Sequence, residues 1–337
     1  MSDYYVKPGQ EVIIERFSPE FAEGVTKCFK AVYGEGYPID TYINPDKLVE
    51  ENKAKNVISI ITRTVKGEVV GHLSLFNSNP CNKKIYESGS GVVIKEYRNT
   101  ARLFSRMTKL SEEIAASEGI DGIYGEPVCN HPFSQKLCKG LEWIITAIEV
   151  DLMPASAYRK EGSSSGRVSV FWCFKTLVPK PHTVFIPERY KDFFKLMYQR
   201  IDDKRDIQIS KKTIPKTDST IIEKQIFEFA NVSRMAILEV GQDLEDKLKI
   251  AEENARKKGV ICFQAWLNLG TPYIGEAVEI LRQNGYFLGG LLTRWFDTDG
   301  ILMQKLITQP CWDDMVIAFE EDKAIVDYVK TDWKAKK

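Results

Sequence analysis

Two arginines, Arg98 and Arg102, stand where a strand reading Gly91-Val92-Val93-Ile94 runs into a helix. That helix is marked by Leu103, Met107, Leu110 and Ile114, spaced 4, 3 and 4, and is closed by Gly119. A helix N-terminus presents unpaired backbone N–H groups and a partial positive charge. With two guanidinium groups beside it, such a turn can hold a diphosphate. The preceding strand carries Gly89 and Gly91, which predict a bulge or a close backbone approach and leave backbone groups to pair with an extended ligand. Glu87 on the same strand is the candidate general base, taking a proton directly or through water; its plainer reading is a solvated strand carboxylate. His131, after Asn130, is a candidate substrate-binding or acid–base residue, or else a helix-start residue held by backbone. Tyr33 and Tyr37, in the Gly- and Pro-punctuated run Tyr33-Gly34-Glu35-Gly36-Tyr37-Pro38, either line a binding pocket or anchor their loop. His72, after Gly71, reads as a packed strand residue.

The elements that must position these groups follow from the hydrophobic pattern. Val12 to Ile14 is a short strand. Ser18-Pro19 opens a helix bearing Phe21, Val25, Cys28/Phe29 and Val32. Val57 to Thr64 and Glu68 to Phe76, joined at Lys66-Gly67, form a hairpin, and Ile85 to Ile94 adds a third strand. After the Leu103 helix come a strand (Ile120 to Glu126), a short helix (Pro132 to Lys139) and strands at Trp143 to Met153 and Arg167 to Leu177. Pro179-Lys180-Pro181-His182 is the linker candidate. Beyond it the order partly returns. A strand at Thr183 to Ile186 and a helix opened by Pro187 are followed by paired strands at Gln225 to Ala230 and Val232 to Val240. Then come a helix ending at Gly259, a strand (Val260 to Leu267), a helix (Ile274 to Arg282) and a hairpin around Asp297 to Gly300. Gly119 and Gly259 differ by the same offset as Pro132 and Pro272, which fits an internal repeat. The Glu320 to Lys323 region and the terminal lysines read as a solvated helix with a frayed end.

Composition bounds the function. At ~100–200 residues per domain, 337 residues favour two domains. Forty-seven basic and 47 acidic residues balance, which argues against a mainly electrostatic nucleic-acid or membrane binder. No apolar run is long enough to span a bilayer. Seven cysteines without paired spacing suggest a reducing cytoplasm, and three scattered histidines disfavour a zinc site.

Over about residues 11–177 the order strand, helix, loop, three-stranded meander, turn, helix, strand, helix, strand resembles the GNAT N-acetyltransferase fold. Val93-Ile94-Lys95-Glu96-Tyr97-Arg98-Asn99-Thr100-Ala101-Arg102-Leu103 looks like that family's acyl-CoA diphosphate motif. Asn130, followed by Ser134, Leu137, Lys139, Leu141 and Trp143, is similar to its asparagine, short helix and glycine-phenylalanine segment. Two glycine positions of the motif are here Ala101 and Leu103, and its proline is Lys95. The resemblance implies an α/β (α+β) fold: a mixed, mostly antiparallel sheet flanked by helices. It implies an N-acyltransferase moving an acyl group from acetyl-CoA or another acyl-CoA directly to the amine of a small molecule or protein. The implied cofactor-binding residues are Val93, Arg98, Asn99, Thr100, Ala101, Arg102, Leu103, Asn130 and Ser134. The Val93 N–H would polarise the thioester carbonyl, Glu87 would be the base, and Tyr33 and Tyr37 would face the acceptor. Cys138 takes the place of the family's proton-donating tyrosine. The alternative is a binding or regulatory protein that keeps the fold without turnover. Residues 1–178 form the expected acyl-CoA-binding domain, 183–310 a degenerate second copy and 311–337 a helical tail. In the second copy Asp243, Glu245 and Asp246 would repel a diphosphate, so it is expected to be a non-catalytic partner domain. The expected partners include neither nucleic acid nor membrane, and the oligomeric state stays open.

Overall fold

A computed structural model describes residues 4–35, 37–98, 102–158, 166–216 and 219–335. The chain divides into two compact units, Met1–Asn79 with Lys83–Gly125, and Pro80–Asn82 with Glu126–Lys337. The division thus falls within the 1–178 segment rather than at Pro179–His182, whose last residue opens a strand.

The first unit runs β1 (Val12–Arg16), α1 (Ala22–Tyr33), α2 (Pro45–Lys53), β2 (Val57–Thr64), β3 (Val69–Phe76), β4 (Ile85–Val93), α3 (Leu103–Ser117) and β5 (Gly122–Gly125). Strands β1 to β4 form an antiparallel meander, and α3 crosses over to bring β5 parallel to β4. Consecutive residues on β2 point to opposite faces and show where the two cores lie. Ile61 enters a cluster with Val25, Phe29 and Leu103, whereas Ile60 packs with Leu73 and Met107 under α3. Helix α2 has no counterpart in the sequence reading. Its polar sequence buries only Leu48, and Asn44 caps it by accepting from the Asp46 and Lys47 N–H groups.

The second unit contains α4 (Phe133–Gly140), β6 (Ile144–Met153), β7 (Val168–Thr176), β8 (His182–Ile186), α5 (Lys191–Arg200), β9 (Arg205–Ile209), β10 (Ile221–Phe227), β11 (Val232–Glu239), α6 (Leu244–Arg256), β12 (Cys262–Asn268), α7 (Ile274–Gln283), β13 (Phe287–Phe296), β14 (Thr298–Leu306) and α8 (Glu320–Lys334). Its main sheet has the order β7-β6-β13-β14-β12-β11-β10, with β8 and β9 as a separate parallel pair. Within the sheet only β11 and β12 run parallel, joined by α6. The fold class is the mixed, mostly antiparallel sheet with helices expected from the sequence.

Helix α8 corrects one expectation. It is not a solvated tail: Ile325, Val326 and Val329 are buried, and the helix packs on β6 and β13. Its Asp332 carboxylate accepts from Arg282 Nη1 (2.9 Å), Tyr190 Oη (3.0 Å) and the Leu288 N–H (2.7 Å). Among the described residues no helix is long and apolar enough to cross a membrane.

Candidate functional site

The glycine-interrupted strand β4 is bulged. Its register against β3 slips between Ser74↔Gly89 and His72↔Val92, so one extra residue sits on β4, and Ser90 takes a left-handed conformation at φ 49°. The bulge is held from below by buried polar side chains. His72 Nδ1 lies 3.0 Å from the Ser90 carbonyl and its Nε2 3.0 Å from Ser59 Oγ. Burial pushes the imidazole down to about 4, so it is neutral at physiological pH. Ser74 Oγ donates to the Gly89 carbonyl at 3.3 Å and shares a 2.8 Å hydrogen bond with Tyr42 Oη.

Beside the bulge lies an aromatic stack. Tyr33 ends α1, Gly34 turns the chain with φ 84°, and Tyr37 folds back so that the two rings stack at 4.9 Å. Tyr37 and Tyr42 both stand 5.0 Å from the Phe29 ring. Tyr33 Oη donates to the Gly91 carbonyl at 3.3 Å. Burial raises the Tyr37 and Tyr42 phenols above their usual range; Ser90 hydrogen bonds oppose this, and the Glu87 charge adds to it. The stacked rings and the Tyr33 hydrogen bond hold this loop against the bulge, which is the loop-anchor reading of the two tyrosines.

Beyond Glu87 the two parallel strands part. Strand β4 pairs with β5 only at Ile85↔Gly122, Tyr86↔Ile123 and Glu87↔Tyr124, yet it continues to Val93. The Ile94 N–H donates to the Val70 carbonyl, which makes Gly71↔Val93 a non-hydrogen-bonded pair. Val93 therefore turns its own N–H and C=O to the edge away from β3. Its carbonyl accepts there from Arg98 Nε at 3.0 Å.

The chain then enters α3 through a single turn at Lys95–Tyr97. Tyr97 is buried, and its hydroxyl donates to the Lys7 carbonyl at 2.7 Å. Arg102 takes the cap position in a left-handed conformation with no side-chain cap, leaving the first N–H groups of α3 without an internal acceptor. Leu103, at a glycine position of the motif, points its side chain into the core at 3% exposure, so only its backbone faces the turn. Arg98 and Arg102 are exposed at this helix start. Asn99, Thr100 and Ala101 lie outside the described residues. An uncapped helix start flanked by two guanidinium groups fits a diphosphate.

Glu87 lies on β4 beside Gly89, where an added Cβ would meet the Phe76 ring at 3.0 Å and a Glu87 carboxylate oxygen at 3.6 Å. Ser78 Oγ donates to Glu87 Oε2 at 2.5 Å and is also hydrogen-bonded to Tyr124 Oη. The sequence reading did not single out Ser78, Tyr124, Tyr42 or Ser74. Nothing in their spacing marks them, because the bulge and the parallel register bring them in.

Asn130, His131, Ser134 and Cys138 belong to the second unit. Pro132 precedes α4, and the His131 ring stands 5.3 Å from that of Phe133. His131 Nδ1 and Ser134 Oγ are shielded from solvent with no protein hydrogen-bond partner. Cys138 is buried with its sulfur 3.4 Å from that of Cys173.

No family model matches the chain, and no curated protein does. Solved structures similar to part of it include an N-acetyltransferase from Staphylococcus aureus Mu50, 11% identical with a TM-score of 0.40, covering 50% of this chain and 99% of that one. An aminoglycoside 6'-N-acetyltransferase from Enterococcus faecium is 18% identical, with a TM-score of 0.37 and coverage of 50% and 99%. An acetyltransferase of the GNAT family from Streptococcus pneumoniae is 16% identical, with a TM-score of 0.42 and coverage of 49% and 99%.

Proposed function

We propose that this protein is an acyl-CoA-dependent N-acyltransferase that moves an acyl group, acetyl first among them, directly to the amine of a small molecule or protein. The observation that carries the reading is the run from Glu87 to Leu103. A bulged strand leaves its parallel neighbour and turns the Val93 N–H outward, then feeds an uncapped helix start flanked by Arg98 and Arg102. Acyl-CoA supplies the activated acyl group as a thioester. The first N–H groups of α3, with Arg98 and Arg102, hold its diphosphate, and Asn99 to Ala101 belong to the same turn by sequence. The outward edge of β4 offers hydrogen bonds to an extended ligand, and the Val93 N–H is the donor for the reacting carbonyl. Glu87 accepts a proton from the attacking amine. Tyr33 and Tyr37 form the aromatic wall beside it. By resemblance of sequence alone, Asn130 and Ser134 are assigned to CoA and His131 and Cys138 to proton transfer.

We also propose that 183–310 is a diverged second copy of the fold, preceded by the 1–178 domain. The crossover β11–α6–β12 repeats β4–α3–β5, and α7–β13–β14 repeats α4–β6–β7. On this reading one acyl-CoA binds per chain.

The test is thermal unfolding with acetyl-CoA and CoA, for the wild type and Arg98→Ala. A hundredfold ligand excess over its dissociation constant adds about 2.7 kcal/mol of stability, so the midpoint rises in the wild type and much less in the variant. Thiol release on adding amines then shows turnover. No midpoint shift at millimolar ligand overturns the reading. A shift without thiol release leaves the binding or regulatory protein, which the replaced motif glycines favour.

A further inference from the structure

Behind Glu87 stands a pair of hydroxyls with no assigned role. Ser78 lies on the loop after β3 and Tyr124 on β5, the strand that pairs with β4 up to Glu87 and no further. Ser78 Oγ donates to Glu87 Oε2 at 2.5 Å and shares a second hydrogen bond with Tyr124 Oη in which either oxygen can be the donor. Tyr124 is 1% exposed, whereas Ser78 is exposed. The chain thus runs from a buried phenol, through a hydroxyl at the surface, to the carboxylate.

We propose that Ser78 and Tyr124 are positioning residues for Glu87, holding its carboxylate beside the β4 bulge in both protonation states. The proposal rests on the transfer reading above. With Glu87 ionised, Tyr124 donates to Ser78 and Ser78 donates to the carboxylate. The acceptor's ammonium then gives one proton to Glu87, and the freed nitrogen lone pair forms the new N–C bond as the thioester C–S bond breaks, the departing thiolate taking up the second nitrogen proton. The protonated carboxyl becomes a donor to Ser78 Oγ, and Ser78 turns its own O–H toward Tyr124 Oη. Both hydrogen bonds survive with their directions reversed, and Glu87 later returns its proton to water. A hydroxyl can do this because one atom is donor and acceptor at once; a lysine at position 78, with no acceptor, has no such reversal. Several neighbouring groups of the first unit have hydrogen-bond partners of their own. Tyr37 and Tyr42 sense its charge but hydrogen-bond to Ser90 and, for Tyr42, Ser74. His72 is buried between Ser59 and the Ser90 carbonyl, and Lys83 donates to Asn77 Oδ1 and the Asn79 carbonyl.

Two measurements on the full chain test this. The first follows the Glu87 carboxyl carbon by NMR against pH, assigned with Glu87→Gln, and needs no turnover. The Ser78 bond to the ionised form is charge-assisted and stronger than its reversed counterpart, so Ser78→Ala should raise the titration midpoint by about one pH unit. Ser78→Thr should leave it in place, and Tyr124→Phe should raise it by less. The second is steady-state thiol release. Ser78→Ala should lower kcat about tenfold with KM for acetyl-CoA unchanged, move the acid limb of the rate profile upward, and be rescued by Ser78→Thr. An unmoved carboxyl midpoint in Ser78→Ala overturns the proposal. So does an unchanged kcat in Ser78→Ala when Glu87→Gln is inactive. If the wild type binds acetyl-CoA but releases no thiol, the transfer reading fails separately, and the carboxyl titration still decides the coupling.

Discussion

Strands β4 and β11 begin alike and end differently. Each is joined by a crossover helix to a parallel neighbour, and the registers correspond: Ile85↔Gly122 through Glu87↔Tyr124 in one, Val232↔Cys262 through Arg234↔Gln264 in the other. There β4 parts from β5, whereas β11 stays paired through Ile237↔Leu267. The helix starts diverge in the same sense. Neither helix start has a side-chain cap, but α3 has two nearby arginines. At α6 the Asp243 carboxylate already accepts from the Thr220 N–H (2.7 Å) and Ser219 Oγ (3.0 Å), and the Thr220 bond holds it well below the usual carboxylate range. At the third strand position Glu87 accepts from the Ser78 hydroxyl, while Arg234 donates to Glu126 and Glu149 at 2.8 Å each and to Gln264 at 2.9 Å. The two crossovers thus differ in how far the parallel pairing continues and in the charge beside the helix start: arginines at α3, an acid already engaged by Ser219 and Thr220 at α6.

The sharpest break of this comparison swaps function against stability. Glu87→Gln should lower thiol release by about 10²–10⁴-fold and barely move the unfolding midpoint. Arg234→Met should do the reverse. It strands Glu149, 2% exposed, without its cation, at a cost of about 3–5 kcal/mol in a denaturant titration. Comparable midpoint losses for both variants would show that the two positions share one structural role and remove the contrast.

The pattern of the sequence carried the meander, the bulge and the helix start, because glycine interruption and 3.6-residue periodicity are local signals. Leu103 shows the limit of motif matching: judged by position it crowds the turn, but its side chain is buried and its backbone is what faces outward. The α2 helix escaped because only Leu48 is buried on it, so its apolar periodicity is faint despite the Asn44-Pro45 start. Strand β9 escaped because its middle residues are exposed. The partners of Glu87 were illegible for a different reason. Ser78 meets it through the β3–β4 register and Tyr124 through the β4–β5 register, which no spacing along the chain reports. The tail was misread because Asp322 and Asp332 look solvated in a charged helix, yet Arg200 and Arg282 receive them in the interior.

The units should also answer acid in opposite directions. His72 is neutral and buried, with its folded value depressed to about 4, so unfolded chains bind a proton that the folded state refuses. Its contribution is fully present above about pH 6.5 and is lost as pH falls toward 4, a change of about 3 kcal/mol. In the second unit, burial raises Glu149 to about 7 against the pull of Arg234, and raises Asp151 to about 6. Raised carboxyls contribute most below their unfolded values and lose that contribution as pH rises through 6 to 7. Amide hydrogen exchange, corrected for intrinsic rates, should therefore show β2 to β4 losing protection between pH 7 and 5 while β6 gains it. His72→Gln should flatten only the first trend. Parallel loss in both units would break the contrast.

The smallest expected effects come from two glycines in corresponding surroundings of strand crowding. A Cβ at Gly290, where φ is 139°, would lie 2.5 Å from Ala147 Cα and 2.6 Å from the Thr146 carbonyl oxygen, at the one registered pairing of β13 with β6. The β6 backbone cannot yield and φ is already positive, so Gly290→Ala should cost about 2–3 kcal/mol. A Cβ at Gly91 would lie 2.2 Å from the tip of the Phe104 ring, which is itself 37% exposed. That ring can swing into solvent, so Gly91→Ala should cost only about 1 kcal/mol, and the double variant Gly91→Ala/Phe104→Ala should abolish the steric part. Denaturant midpoints of the three variants rank the two sites. Because Gly91 lies on the open edge and Gly290 within a closed seam, an inverted ranking would mean that β4 at the bulge is the more tightly packed strand, contrary to the opening on which its proposed chemistry depends.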